Sequence, residues 1–138
     1  MNLEIEKVAS EAIASMQQEY LATLTAPMDC FWQEGLIAAA DHHLILIDGE
    51  QAGYFVANAS KQMMQYHVTS PFLRGAPEIF SRVLANQQIK TAVAATIEPM
   101  YFGLCLDAQK ESRVHTYLFS DHQQKEPVID SIQGHQFR

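Results

Sequence analysis

The chain has 138 residues, 48% hydrophobic and 18% charged, enough for one packed domain and too apolar for a disordered chain. A net charge of −7, with nine Lys and Arg scattered, leaves no basic stripe for a nucleic-acid partner. No apolar run approaches the about 18 residues of a membrane span, and the opening MNLEIEKVASEA has no apolar signal core. Cys30 and Cys105 sit in apolar contexts without metal spacing, so reduced, buried thiols and a cytoplasmic location are expected.

In chain order, Val8, Ala12, Ile13, Met16, Tyr20, Leu21 and Leu24 recur at helical spacing and predict a helix over 5–24, closed by Pro27. Asp29 is a candidate N-cap for a second short helix carrying Phe31, Trp32, Leu36 and Ile37, read as core, with Trp32 also placed to edge a pocket. Asp41-His42-His43 reads as a solvated turn entering a strand. Adjacent strand residues point to opposite faces and no third ligand is spaced to help, so no metal is expected.

The β signal is plain from there. His43–Ile47 and Gly53–Ala57 flank the turn 48–51, and a turn at 58–61 leads to a strand over Gln62–Thr69, an antiparallel meander. A loop containing Gly75, a helix entered at Pro77 and a β-like run from Ile89 to Thr96 complete a crossover that places two strands parallel. The loop ends at a helix start, whose unpaired N–H groups and aligned dipoles suit an anion such as pyrophosphate; Glu78 beside them repels one. Pro99–Ala108 reads as a helix and Ser112–Phe119 as a strand. The segment 121–138 is a weakly structured tail, or an edge strand around Val128, Ile129 and Ile132. Residues 1–138 form one α/β (α+β) domain: a mixed sheet with an antiparallel meander, then a β-α-β crossover, and helices on both faces.

Element order over 5–119, with Pro71-Phe72-Leu73-Arg74-Gly75-Ala76-Pro77 ahead of the crossover helix, resembles the GNAT N-acetyltransferase family. Its members hold acetyl-CoA between two splayed strands and rest the pyrophosphate on a Gln/Arg-x-x-Gly-x-Gly/Ala loop. With Gly75 on the first Gly of that loop, Phe72 stands at the Gln/Arg position and Pro77 at the closing small residue. The resemblance implies acyl transfer from acetyl-CoA to a small-molecule or peptide amine, with Val68 (through its backbone N–H), Leu73, Arg74, Gly75 and Ala76 toward the cofactor.

Such chemistry is mostly positioning plus proton management, so it needs a base and an oxyanion donor. His67 or Glu98 would take the ammonium proton, Glu98 being equally placed to cap the next helix. The family's leaving-group acid, a tyrosine, falls near Leu106, with Tyr101 one turn earlier as the candidate. Strand alternation puts Gln65, His67 and Thr69 on one face and Met64, Tyr66 and Val68 on the other. An alternative reading keeps the fold without catalysis, as a ligand-binding or dimerisation module; exposed edge strands, with Phe31, Trp32 and Phe72, would serve a homodimer.

Overall fold

A computed structural model of the chain describes residues 1–113 and 134–137. Its first element corrects the sequence reading. Leu3–Val8 is a strand, β1, where a helix was predicted from residue 5. Leu3 and Ile5 alternate inward and sit opposite Ile47 and Ile45 across an antiparallel ladder. A tight turn over Ser10–Ile13 follows, and only Ala14–Ala22 is helical (α1), burying Met16 and Tyr20.

Phe31–Ile37 winds as a wide, π-type helical segment. The Asp29 Oδ1 accepts from the Phe31 N–H at 3.3 Å, as an N-cap would. Its apolar load divides: Ile37 is fully buried and Trp32 packs half-buried, but Phe31 is 69% and Leu36 41% exposed. Seven residues can turn only one side inward, so the expectation that the whole cluster is core fails for these two. Cys30, at the start of this segment, is exposed against the expectation of a buried thiol, whereas Cys105 is buried as expected.

Strands β2 (Asp41–Ile47), β3 (Glu50–Ala57) and β4 (Gln62–Val68) form the predicted meander. Asp48 (φ 51°) and Gly49 (φ 84°) both take positive φ, the backbone a two-residue hairpin requires. Asp41, His42 and His43 lie within β2 and not in a solvated turn. His42 is buried and the His43 ring stacks on Phe55. At Gly53 the backbones of β3 and β4 close in, and a Cβ there would stand 2.1 Å from the His67 carbonyl oxygen.

A tight turn over Ser70–Gly75 leads to α2 (Ala76–Gln87), then β5 (Thr91–Val93), α3 (Pro99–Ala108), β6 (Gln109–Arg113) and β7 (Gly134–Phe137). β5 is much shorter than the predicted run to Thr96, because the chain turns away after Ala94 toward the start of α3. The strand predicted over 112–119 is described only to Arg113. The rest of it, and Val128, Ile129 and Ile132, lie outside the described residues. The sheet order is β1-β2-β3-β4-β5-β7-β6, antiparallel except for the parallel β4–β5 pair produced by the crossover.

Two cores flank this sheet. Ile45, Phe55, Tyr66 and Val68 pack against Ile79, Phe80 and Val83 of α2 and Tyr101, Leu104 and Cys105 of α3. Leu44, Tyr54, Val56 and Met64 pack on the other face against Met16 and Tyr20 of α1 and Ile37. A register shift opposite Val56 and Ala57 breaks the alternation in β4, so Met64 joins the α1 side along with Gln65 and His67.

Candidate active site

The site begins where two strands part. β4 and β5 pair only at Gln62–Thr91 and Met63–Ala92; β4 then continues to Val68 while β5 ends at Val93. The Thr69 N–H donates to Ala52 O on β3 (2.8 Å), and the His67 carbonyl faces β3 at Gly53. Strand amides alternate edges, so the Val68 N–H faces the opposite edge, where β5 has left. The opening is a cleft of about 440 Å³, walled by α1 (Glu19, Tyr20) and Thr23 just after it, the end of β4 (His67, Val68) and Thr69, Leu73, and Glu98 with the start of α3 (Pro99, Met100). The Thr25 N–H donates to Ile97 O (3.0 Å), tying the loop after α1 to the segment before α3.

Glu98 occupies the N-cap position of α3, and its carbonyl accepts from the Phe102 N–H at 2.8 Å. Its carboxyl, 2% exposed, does not cap the helix. Oε2 accepts from the Ala95 N–H at 2.6 Å, and Oε1 accepts from the Tyr20 hydroxyl. Burial pushes the carboxyl pKa up to about 7, and these two hydrogen bonds only partly offset that rise. The Tyr20 hydroxyl is itself held well above the usual phenol range, by burial first and then by the Glu98 charge.

His67 is 5% exposed, and its Nε2 stands 3.3 Å from Glu19 Oε1. Burial lowers its pKa, while Glu19 pulls the other way. Tyr20 meets the imidazole edge-on, ring centroids 5.8 Å apart, and Tyr54 meets it tilted at 5.9 Å. Beside them Gln65, fully buried, uses both ends of its amide. Oε1 accepts from the Tyr54 hydroxyl (2.7 Å) and from Gln17 Nε2 (3.1 Å), while Nε2 donates to Gln33 Oε1 (3.0 Å). One β4 side chain thus fastens both α1, which walls the cleft, and the Phe31–Ile37 segment to the sheet.

The sequence-predicted residues separate. His67, Val68, Leu73 and Glu98 meet at the cleft. Arg74 is exposed and Gly75 half-buried at the end of the turn into α2. Ala76 is buried, its carbonyl 3.3 Å from the Tyr66 hydroxyl. Phe72 packs against the α2/α3 core and leaves the opening clear. Tyr101 is fully buried beside Cys105 and does not line the cleft, and its hydroxyl has no conventional hydrogen-bond partner among the described residues. Tyr20 and Glu19 were not singled out from sequence. A tyrosine on an otherwise aliphatic helix face was the available signal, because a buried hydroxyl needs a partner. A larger groove of about 810 Å³ runs between α2 and α3 past Phe80, Leu84 and Leu104, without these buried polar groups.

No curated protein matches the chain. Among solved structures, an acetyltransferase of the GNAT family from Colwellia psychrerythraea is 23% identical, with a TM-score of 0.74. The match covers 82% of this chain and 44% of that one, so the chain spans less than half of that protein. An IAA acetyltransferase from Bacillus cereus is 13% identical (TM-score 0.54), over 99% of this chain and 100% of that one. A GNAT family acetyltransferase from Elizabethkingia anophelis with acetyl-CoA bound is 12% identical (TM-score 0.52), over 99% and 97%. At these identities the likeness shows a shared fold. The family model "Acetyltransferase (GNAT) domain" matches residues 9–122, and the chain belongs to that family.

Proposed function

We propose that the protein transfers an acyl group, acetyl from acetyl-CoA, to the nitrogen of a small-molecule or peptide amine. The observation that carries this reading is the parting of β4 and β5 beside a buried carboxyl held by two hydrogen bonds. Acetyl-CoA fits the residues present. The Val68 N–H faces the open edge, Phe72 is turned into the core, and Gly75 and Ala76 lead into the first turn of α2. Arg74, at the end of the preceding turn, would bring a positive charge to the same place as Glu78. When bound, the coenzyme supplies an activated thioester.

The chain's own groups then do the following. The Val68 N–H would support the thioester carbonyl oxygen, and the Glu78 N–H in the first turn of α2, with Arg74, would hold the pyrophosphate, Ala76 N–H being bonded to Leu73 O. Leu73 covers the apolar part of the cleft. Glu98 takes the ammonium proton of the acceptor, and a carboxyl pKa of about 7 leaves it basic at neutral pH. His67, kept neutral by burial and bonded to Glu19, orients the incoming amine and passes protons toward solvent. No proton transfer is proposed for Tyr101, whose hydroxyl is buried against Cys105. Incubation with acetyl-CoA and a panel of primary amines, read by thiol release and product mass, tests the reading. Acetylated amine forming faster as pH rises through 7 is expected; no thiol release and no product at millimolar substrates would refute it.

A further inference from the structure

We infer that Tyr20 is a positioning residue for the Glu98 carboxyl, its hydroxyl fixing and stabilising the ionised form inside the cleft. The inference rests on the reading of Glu98 as proton acceptor, and it concerns a residue on a different element, 78 positions away in sequence. Two donors reach the carboxyl, one per oxygen: the Tyr20 hydroxyl on Oε1 and the Ala95 N–H on Oε2. Each oxygen therefore keeps a lone-pair site, and Glu98 lines the cleft. The Ala95 bond is local and holds the carboxyl against its own turn. The Tyr20 bond comes from α1 and decides which way the other oxygen points.

Among the described residues, the Tyr20 hydroxyl and the Ala95 N–H are the donors seen on this carboxyl. Tyr54 on β3 gives its hydroxyl to Gln65, and Tyr101 and Cys105 on α3 face one another. His67 on β4 is turned to Glu19, the other carboxylate at the cleft. These groups raise or leave the carboxyl's proton affinity, whereas hydrogen bonds from Tyr20 and Ala95 lower it against the larger effect of burial. The Tyr20 ring is held independently of its hydroxyl, packed edge-on against both Tyr54 (6.4 Å) and His67 (5.8 Å). Removing the oxygen alone should therefore leave the packing in place.

The test is the titration of Glu98, followed by carbon NMR of a glutamate-labelled protein, in the wild type, Tyr20→Phe and Tyr54→Phe. Tyr20→Phe should raise the Glu98 midpoint by about one unit, and Tyr54→Phe should leave it within a few tenths. In the transfer assay, kcat/KM of Tyr20→Phe should be about tenfold lower at pH 6 and converge with wild type above pH 9. An unchanged midpoint in Tyr20→Phe, or an equal rise in both variants, overturns the inference while the transferase reading stands. Absence of acetyl transfer by the wild type refutes that reading, and the NMR midpoint still decides the role of Tyr20. Should Tyr20→Phe not fold, the wild-type Tyr20 hydroxyl proton serves instead. It should resonate far downfield above pH 8 and move upfield in Glu98→Gln; a resonance indifferent to Glu98 overturns the inference.

Discussion

The two faces of the sheet are built from different materials. Toward α2 and α3 the buried side chains are aliphatic and aromatic: Ile45, Phe55, Ile79, Phe80, Val83, Leu104. Toward α1 the same strands bury Gln65, His67, His42 and the hydroxyl of Tyr54, with Tyr20 and Glu98 closing the set. Burying a polar group costs free energy unless it is hydrogen-bonded, and a buried carboxyl resists ionising. The α1 face therefore contributes less to stability per residue than its partner. In return it holds titratable groups at fixed positions beside the open edge of β4. One face is an apolar core, and the other holds the buried polar and titratable groups that the proposed proton transfer would use.

The comparison can be broken from its stable side first. Phe80→Ala removes a ring that packs edge-on with Tyr66 at 4.9 Å, and should cost about 3–5 kcal/mol in denaturant unfolding. A loss under about 1 kcal/mol would mean the α2/α3 core is not what holds the domain.

Glu98→Gln should act the other way. It should lower kcat/KM by about 100- to 1,000-fold while leaving the protein at least as stable at pH 8.5. The sign follows from the raised pKa. Between the ordinary carboxyl value of 4.5 and about 7 the folded state holds a proton that the unfolded chain releases. The contribution of this group is thus fully favourable below about pH 4.5 and falls by about 3 kcal/mol as pH rises through 7. Subtracting the unfolding free energies of Glu98→Gln from those of wild type across that range isolates the effect. A flat difference would mean the carboxyl is not buried as described.

Gln65→Leu should be milder, about 1–3 kcal/mol, since Tyr54, Gln17 and Gln33 each lose a partner. Because that amide pins α1 over the cleft, KM for the amine should rise several-fold with acetyl-CoA affinity unchanged; equal weakening of both would remove the distinction between the two sides of the cleft. Smallest of all, Phe31→Ser should shift stability by no more than about 0.5 kcal/mol, because the ring is 69% exposed. A larger loss would show that Phe31 is covered in solution.

Much of this was legible in sequence, and the remainder failed for identifiable reasons. The meander could be read because Asp48-Gly49 supplies a turn with both residues at positive φ between alternating runs. The crossover followed from Gly75-Ala76-Pro77 opening a strongly amphipathic helix. β1 was missed because Ile5 and Val8 also fit a helical face. Only pairing with β2, some forty residues away, decides between the two readings. The end of β5 was missed for a different reason: a local bond, Glu98 reaching back three residues to the Ala95 N–H, closes the turn after it, and a strand-like run of apolar residues gives no sign of it. At the site, His67 and Glu98 were visible as titratable residues on the elements that line the cleft. Tyr20 and Glu19 were not, because helical spacing reports which face is buried and says nothing of what a hydroxyl or carboxylate meets there. The register shift that moves Met64 to the α1 side is a tertiary feature with no local signal.

The most direct test of the central claim is an amide NMR titration of the folded chain with acetyl-CoA. Saturable shifts at the Val68 amide and at the Glu78 amide in the first turn of α2 are what this account predicts. Those amides unmoved at millimolar coenzyme, or shifts confined to the groove between α2 and α3, would contradict it.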